Sequence, residues 1–352
     1  MQKARFTLLA IMLFVSVLAF AQEAKKVDWT PKVSGFAQFR FDANFDNDFK
    51  LMNDSFRFHR VCLSLSGNLT EKLTWMISGD FVRKPMLVNA IVKYDFCDAF
   101  AIQAGQFKTP FTIENEMNPA FGCEIFDYGS AIKELVGYEY SYISPLGALG
   151  CDIGVMASGK LSNNVIEYKA GIFNGNGINN IDNNNNKIFV GRLDFHPIKS
   201  LTFSGSIRNG NYYCDTINKG VFNRWSVGAQ FKNDRLVVRS EYIGAETGKE
   251  IQYPSHVYQT GTVNEHVKNY SFYAVAGYWF KICKGKQKIM PVLRYDRVGA
   301  GTAFNEDAVS YYTAGIYYLP IPQFNFKLDY QYETWGDSKE NHHIVAILNY
   351  KF

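Results

Sequence analysis

Apolar and polar residues alternate strictly in two stretches near the end of the chain. The first runs from Phe324 to Glu333, where even positions are apolar and odd positions are polar. The second, Ile344–Phe352, places four apolar residues on one face: Ala346, Leu348, Tyr350 and Phe352. Successive side chains of a strand point to opposite faces, and about ten residues let a tilted strand cross a membrane. The alternation therefore predicts membrane-spanning strands with a lipid-facing apolar side.

The same alternation recurs upstream and predicts about sixteen strands in all. The other predicted strands are Val33–Asp42, Phe56–Gly67, Leu73–Phe81, Leu87–Phe96, Phe100–Phe107, Cys151–Lys160, Val165–Phe173, Ile188–Phe195, Leu201–Arg208, Phe222–Lys232, Arg235–Ala245, Tyr270–Lys281, Lys288–Arg297 and Val309–Leu319. Long and short connections alternate along this series, as in single-chain bacterial barrels, which have an even strand number. The predicted fold class is all-β, a transmembrane antiparallel β-barrel.

One connection, residues 108–150, is far longer than the others and shows no sustained alternation. Gly137–Ser144 has a weak strand pattern, but the even strand count assigns it to this connection. The connection is the third on the outer side, and loops of this length are usually functional or disordered. Because a barrel of about sixteen strands encloses water, this long third extracellular loop is the candidate constriction of the lumen.

The first residues have the pattern of a secretory signal peptide. Lys3 and Arg5 precede an apolar run, Leu8–Val17, and residues 19–21 form a small-x-small cleavage site. Cleavage after position 21 leaves residues 22–352 as the barrel and removes the two leader cations, so the formal charge falls from +4 to about +2. This near-neutral charge argues against a nucleic acid partner. The predicted location is the bacterial outer membrane.

Aromatic residues are abundant, with 29 Phe, 22 Tyr and 5 Trp. A membrane barrel needs such residues, because half of each strand faces lipid and aromatic girdles mark both interfaces. No other run approaches the roughly eighteen consecutive apolar residues of a transmembrane helix. The composition therefore favours a barrel with outer-membrane lipid as its partner.

Six cysteines remain after cleavage, and their spacing is wide and irregular: Cys62, Cys97, Cys123, Cys151, Cys214 and Cys283. An exported chain could oxidise them, or they could serve as small packing residues. The absence of a CxxC pair argues against zinc and against a dense disulfide framework. We therefore expect neither a metal site nor a cofactor.

Charged residues occur on the polar faces of many predicted strands. The inward cations are Arg40, Arg60, Arg192, Arg208, Arg224, Arg239, Arg294 and Lys327, and the inward acids are Asp42, Asp80, Asp194, Glu241, Asp296, Asp329 and Glu333. One interpretation is that they form cross-strand charge pairs that stiffen the wall. The neighbouring charges are Arg40/Asp42, Arg192/Asp194, Arg239/Glu241 and Arg294/Asp296. The other interpretation is a ladder of cations that passes an anion inward, since guanidinium matches an oxyanion well.

Three segments resemble the family of phosphate- and polyphosphate-selective porins. They are Gly105-Gln106-Phe107-Lys108-Thr109-Pro110-Phe111, Phe58-His59-Arg60-Val61 and Phe173-Asn174-Gly175-Asn176-Gly177. The resemblance implies an outer-membrane porin that is general or anion-preferring, usually a homotrimer, with its third loop inside the lumen. Here that loop has only two bases, Lys108 and Lys133, against six acids: Glu114, Glu116, Glu124, Asp127, Glu134 and Glu139. This charge balance favours a broader solute range than phosphate alone.

The predicted function is passive diffusion of small hydrophilic solutes or anions, phosphate among them, through a water-filled lumen. The candidate pore-lining residues are Arg40, Arg60, Lys108, Lys133, Arg192, Arg208, Arg239, Arg294 and Lys327, with the constriction-loop acids Glu114, Glu116, Glu124 and Asp127. A structural or adhesive barrel is one alternative. The other is a barrel hydrolase that uses Ser310, His342 and Asp337, but no motif marks these residues, so we do not expect an enzyme.

Overall fold

The computed structural model of the chain describes residues 29–352 except 47, 85, 137–149, 183–184, 214–218, 248–250, 253–261, 264–266, 300–307 and 336–338. Sixteen strands form one antiparallel sheet: β1 Lys32–Phe45, β2 Leu51–Asn68, β3 Leu73–Asp80, β4 Leu87–Cys97, β5 Phe100–Lys108, β6 Cys151–Leu161, β7 Ile166–Phe173, β8 Ile188–Ile198, β9 Leu201–Asn209, β10 Lys219–Lys232, β11 Leu236–Thr247, β12 Val267–Tyr278, β13 Gln287–Val298, β14 Val309–Ile321, β15 Phe324–Trp335 and β16 Lys339–Lys351. Strand β1 pairs with both β2 and β16, so the sheet closes into a barrel. The predicted fold class is confirmed.

Short elements accompany the barrel strands. Asn211–Tyr213 extends β9, Phe280–Ile282 extends β12, and Ile251–Gln252 pairs with Thr262–Val263 in a connection. Helix α1, Ser130–Val136, lies in the long connection between β5 and β6, and a 3-10 turn spans Cys283–Gly285. No helix in the described part of the chain has the length and apolar character needed to cross a membrane.

The two faces of the wall follow the predicted period of two. On β13, Leu293 is 67% exposed on the outside, while its neighbour Arg294 is 3% exposed on the inside. On β15, Leu328 is 42% exposed and Lys327 is completely buried. Since only lipid can cover the outer apolar side chains of a barrel, the alternation fixes which residues face the lumen.

Several strands extend beyond their predicted ends into polar sequence. Strand β2 begins at Leu51, before its predicted start at Phe56, because its backbone pairs with β1 through Ala43↔Asp54 and Phe45↔Leu51. Strand β8 likewise continues to Ile198, beyond its predicted end at Phe195. Backbone pairing needs no apolar side chain outside the membrane, so hydrophobic periodicity underestimates strand length there.

The apolar core of the barrel lies inside it, between the wall and the connection that follows β5. That connection, residues 109–150, is called loop 3 below, and 109–136 and 150 are described. Its buried residues include Phe111, Ile125, Ile132 and Leu135, which pack with the inward-facing Ile243, Val275, Val292, Val345 and Ile347. Loop 3 therefore occupies part of the lumen.

Candidate functional site

The segment Gly105–Phe111 forms the hinge from β5 into loop 3. Gly105 has φ +125°, and a Cβ there would overlap the Ala90 carbonyl, so only glycine fits. The Gln106 amide donates to the Leu87 and Val88 carbonyls, each at 3.1 Å, and fixes β5 against the start of β4. This packing gives a physical reason for the glycine and glutamine of the segment.

Two lysine ammonium groups are enclosed by oxygen atoms of loop 3. Lys108 Nζ donates to the Asn115 and Met117 carbonyls, both at 2.7 Å, and to the Tyr128 hydroxyl. Lys327 Nζ, from the far wall on β15, donates to three carbonyls at 2.8–3.1 Å: those of Pro119, Cys123 and Ile125. An ammonium has three donors, so both lysines are fully used in holding the loop.

Glu114 connects loop 3 to the arginines of the opposite wall. Its Oε2 accepts from Arg294 Nη1 at 2.7 Å and Arg239 Nη2 at 3.1 Å, and its Oε1 accepts from the Gly129 amide at 2.7 Å. Arg239 also forms a 2.6 Å ion pair with Glu124. Burial alone would raise the pKa of Glu114, but the two guanidinium charges hold that pKa below its ordinary value. The pairing compensates for taking these charges out of water.

A second set of contacts fixes the start of the loop to β8 and β11. The Glu241 carboxylate accepts from the Ile113 amide at 2.7 Å and from the Glu114 amide at 3.2 Å. Arg192 donates to the Thr112 carbonyl at 2.7 Å and pairs with Glu116 at 2.8 Å. Wall residues thus bind the loop backbone as well as its side chains.

The end of the loop before the helix is held near β1 and β2. The Asp127 carboxylate lies 3.1 Å from His59 Nε2 and 3.5 Å from Lys133 Nζ. Burial alone would raise the pKa of Asp127, but the Lys133 charge and the His59 hydrogen bond keep it well below the ordinary value. Phe126 stacks under the Arg40 guanidinium at 4.7 Å. Asp127 is therefore a charged anchor of the loop.

Helix α1 lies between wall groups of opposite charge. The Ala131 amide at its N-terminus donates to Asp296 at 3.3 Å. At its C-terminus the Leu135 carbonyl accepts from Arg224 at 3.1 Å and the Val136 carbonyl from Arg208 at 3.4 Å. Acids near the N-terminus and cations near the C-terminus of a helix stabilise it.

Some wall charges form ion pairs with each other. These pairs join neighbours on one strand: Arg40 with Asp42, Arg192 with Asp194 at 2.9 Å, and Arg294 with Asp296 at 2.6 Å. Arg239 does not pair with Glu241, since it reaches loop 3. The side chains of Arg239, Arg294 and Lys327 are buried beneath the loop, so they do not border free space. Arg60 is also inward-facing, on β2, and buried.

Free space remains on the other side of the lumen. A cavity of about 980 Å³ lies along β3 to β7, from the turn residues Asp98 and Asn164 to Lys108 and Glu116 of the loop region. Four further lysines line it: Lys72, Lys93, Lys160 and Lys169. The sequence analysis did not select these lysines, although Lys93 and Lys169 lie on the polar face of alternating strands. One sequence signal distinguishes these lysines from the cations that loop 3 covers. Where the loop docks, some inward-facing wall residues are apolar, such as Val345 and Ile347.

Other candidate groups lie apart from this cavity or outside the described residues. The Ser310 hydroxyl contacts Tyr295 and Arg297, His342 contacts the Tyr330 hydroxyl, and Asp337 is not among the described residues. None of the five described cysteines forms a disulfide, and Cys214 is outside the described part. The predicted signal peptide, Gly137–Ser144 and Glu139 are outside it too. Within it, no group of three or more His, Cys, Asp or Glu could hold a metal ion.

The sequence matches a known family over its first half. Residues 33–202, which run from β1 to the start of β9, match the family described as phosphate-selective porin O and P. No curated protein matches the chain at a significant level. The family resemblance seen in the three sequence segments is thereby confirmed.

Solved structures of outer-membrane channels share the barrel. The anion-selective porin of Comamonas acidovorans matches with a TM-score of 0.66 at 9% identity, over 92% of this chain and 100% of that chain. The channel DcaP of Acinetobacter baumannii matches with 0.61 at 14% identity, over 95% and 100%. OmpF of Salmonella typhi, solved with daunomycin, matches with 0.62 at 13% identity, over 92% and 98%. Identities this low show a common fold.

Proposed function

Since residues 33–202 match the phosphate-selective porin O and P family, we propose that this chain is a passive diffusion channel of the bacterial outer membrane. Small hydrophilic solutes, anions included, cross the lumen beside loop 3. The family and the barrel fold both point to a channel and away from an enzyme. Export by the signal peptide of residues 1–21 and assembly as a homotrimer belong to the same proposal.

The observation that carries the proposal is the one-sided docking of loop 3. The loop is held against β11, β13 and β15 by Arg239, Arg294 and Lys327, while the cavity of about 980 Å³ stays free along β3 to β7. A sixteen-stranded wall is wide enough to leave water beside such a loop. Loop 3 therefore acts as a constriction that narrows the lumen and leaves a path.

The charges along the cavity support a broad solute range with anions accepted. Lys93 pairs with Asp95 at 2.6 Å, and Lys169 pairs with Glu116 at 2.9 Å and with Glu167 at 3.5 Å. Charges that line a pore select its solutes, and here most lysines are compensated by a neighbouring carboxylate. We infer weak anion preference and no strict selection of phosphate.

Liposome swelling with sugars of increasing size tests the proposal. The refolded protein should admit small sugars quickly and larger ones progressively more slowly, because the path has a finite width. Ser158→Trp, which fills the cavity, should slow swelling several-fold. Val155→Trp is the matched control, since Val155 lies on the lipid face of the same strand and is 53% exposed. Equal rates for both variants and the wild type would contradict this path.

A further inference from the structure

Three cations lie on two neighbouring turns at the end of the barrel where β1 begins and β16 ends. Arg235 belongs to the turn between β10 and β11, and Lys284 and Lys286 to the turn between β12 and β13. All three side chains are exposed. We call these three cations the basic rim. The short turns at this end mark it as periplasmic.

Exposed apolar residues place the basic rim at the membrane surface. On the lipid-facing side, next to the rim, Tyr278 is 37%, Phe280 50% and Ile321 54% exposed. The Tyr278 and Phe280 rings contact each other with centroids 4.9 Å apart, and Arg235 reaches the Tyr278 hydroxyl at 3.5 Å. Aromatic residues of a barrel gather at the membrane–water interface. The cations therefore lie at the depth of the lipid headgroups.

The turn between β12 and β13 holds its lysines in a compact structure. Cys283 and Lys284 have φ +49° and +58°, and Gly285 has φ +83°. The Lys286 amide donates to the Cys283 carbonyl at 3.3 Å and closes the turn. Lys284 and Lys286 are consequently presented together at its tip.

We propose that the basic rim binds the phosphate headgroups of anionic phospholipids in the periplasmic leaflet of the outer membrane. Several lysines near a membrane surface attract anionic lipid, and each cation contributes to the attraction. The aromatic residues beside the rim supply the apolar contact that a soluble anion would not use. The contact holds this side of the barrel at a fixed depth and is separate from the solute path along β3 to β7.

Native mass spectrometry of the protein released from mixed bilayers of phosphatidylcholine and phosphatidylglycerol tests the inference. The wild type should retain phosphatidylglycerol in excess over its share of the bilayer. The double variant Lys284→Gln, Lys286→Gln should lose this enrichment by about tenfold or more. Heat-modifiable mobility in gels verifies that the variant is folded.

A variant at the other end of the barrel is the matched control. Lys50→Gln, Lys268→Gln removes the same charge from exposed lysines on the extracellular side, and it should keep the enrichment. The proposal would be overturned if the rim variant retained as much phosphatidylglycerol as the wild type. It would also be overturned if the control variant lost as much phosphatidylglycerol as the rim variant. Binding of inorganic phosphate without phosphatidylglycerol enrichment would also overturn it, because it would assign the rim to soluble anions.

Discussion

At the scale of single residues, two carboxylates of loop 3 differ in what surrounds them. The Glu116 side chain is 24% exposed, lines the cavity and pairs with Lys169 and Arg192. The Glu124 side chain is 4% exposed and is sealed against Arg239. The sequence places both residues in one acidic loop and does not show that their exposure differs. The exposure of Glu124 depends on Arg239, a wall residue more than a hundred positions away.

Glu116→Gln should shift the reversal potential in a salt gradient toward anions. The substitution removes a negative charge from the path and leaves Lys169 with one fewer carboxylate partner, so the lining becomes more positive. Glu124→Gln should leave the sign of the preference unchanged, since Glu124 does not border the path. An equal shift in both variants, or none in Glu116→Gln, would show that the path lies elsewhere.

Glu114 gives the attachment of the loop a defined dependence on pH. Its folded pKa lies below the ordinary value of 4.5 because Arg294 and Arg239 outweigh the effect of burial. A carboxyl with a lowered pKa stabilises the folded state above its ordinary pKa, and this contribution is lost as pH falls through the folded pKa. The loop should therefore resist protease equally between about pH 8 and 5 and loosen only below 4.5.

Protease sensitivity of the loop against pH, read by mass spectrometry, checks this expectation. In Glu114→Gln the loop should be loosened at every pH, because the charge that pairs with the two arginines is gone. Loosening of the wild-type loop between about pH 8 and 5 would contradict the assignment of Glu114 as the titrating clamp.

At the scale of elements, the strands could be predicted from the sequence and the docking of loop 3 could not. Each strand, such as β15 with its alternating Phe324–Glu333, carries its own pattern, since lipid on one side and the lumen on the other impose the period of two. The docking depends on pairs far apart in sequence, such as Lys327 with the carbonyl of Cys123. Apolar residues on an inward face, such as Val345 and Ile347, are the only local sign of it.

Lys327→Met should loosen the middle of loop 3 while leaving the barrel folded. The change removes three donors and leaves the carbonyls of Pro119, Cys123 and Ile125 buried without that partner, at a cost of about 1–3 kcal/mol for each. The variant should show greater open-channel current noise. Lys288→Met, an inward-facing lysine of β13 near the periplasmic end, is the control and should match the wild type. Indistinguishable noise in the two variants would contradict the role of Lys327.

At the scale of the whole molecule, the barrel combines a continuous wall with a lumen that is filled on one side. Because loop 3 fills one side, the inward-facing cations fall into two groups. Arg239, Arg294 and Lys327 hold the loop, while Lys93 and Lys169 line the space that remains. The charge of the inward face as read from sequence therefore overstates the charge that a solute meets. Weak selectivity follows from this division.

Single-channel conductance of the refolded protein in a planar bilayer tests the central claim most directly. A salt gradient gives the sign of the preferred ion, and added phosphate tests for block. The proposed channel should give stable conductance steps, a weak preference for anions and no block by phosphate at low concentration. Strong anion preference with phosphate block would contradict the account in which carboxylates neutralise most lysines of the cavity. A folded barrel that gives no conductance would contradict the channel function itself.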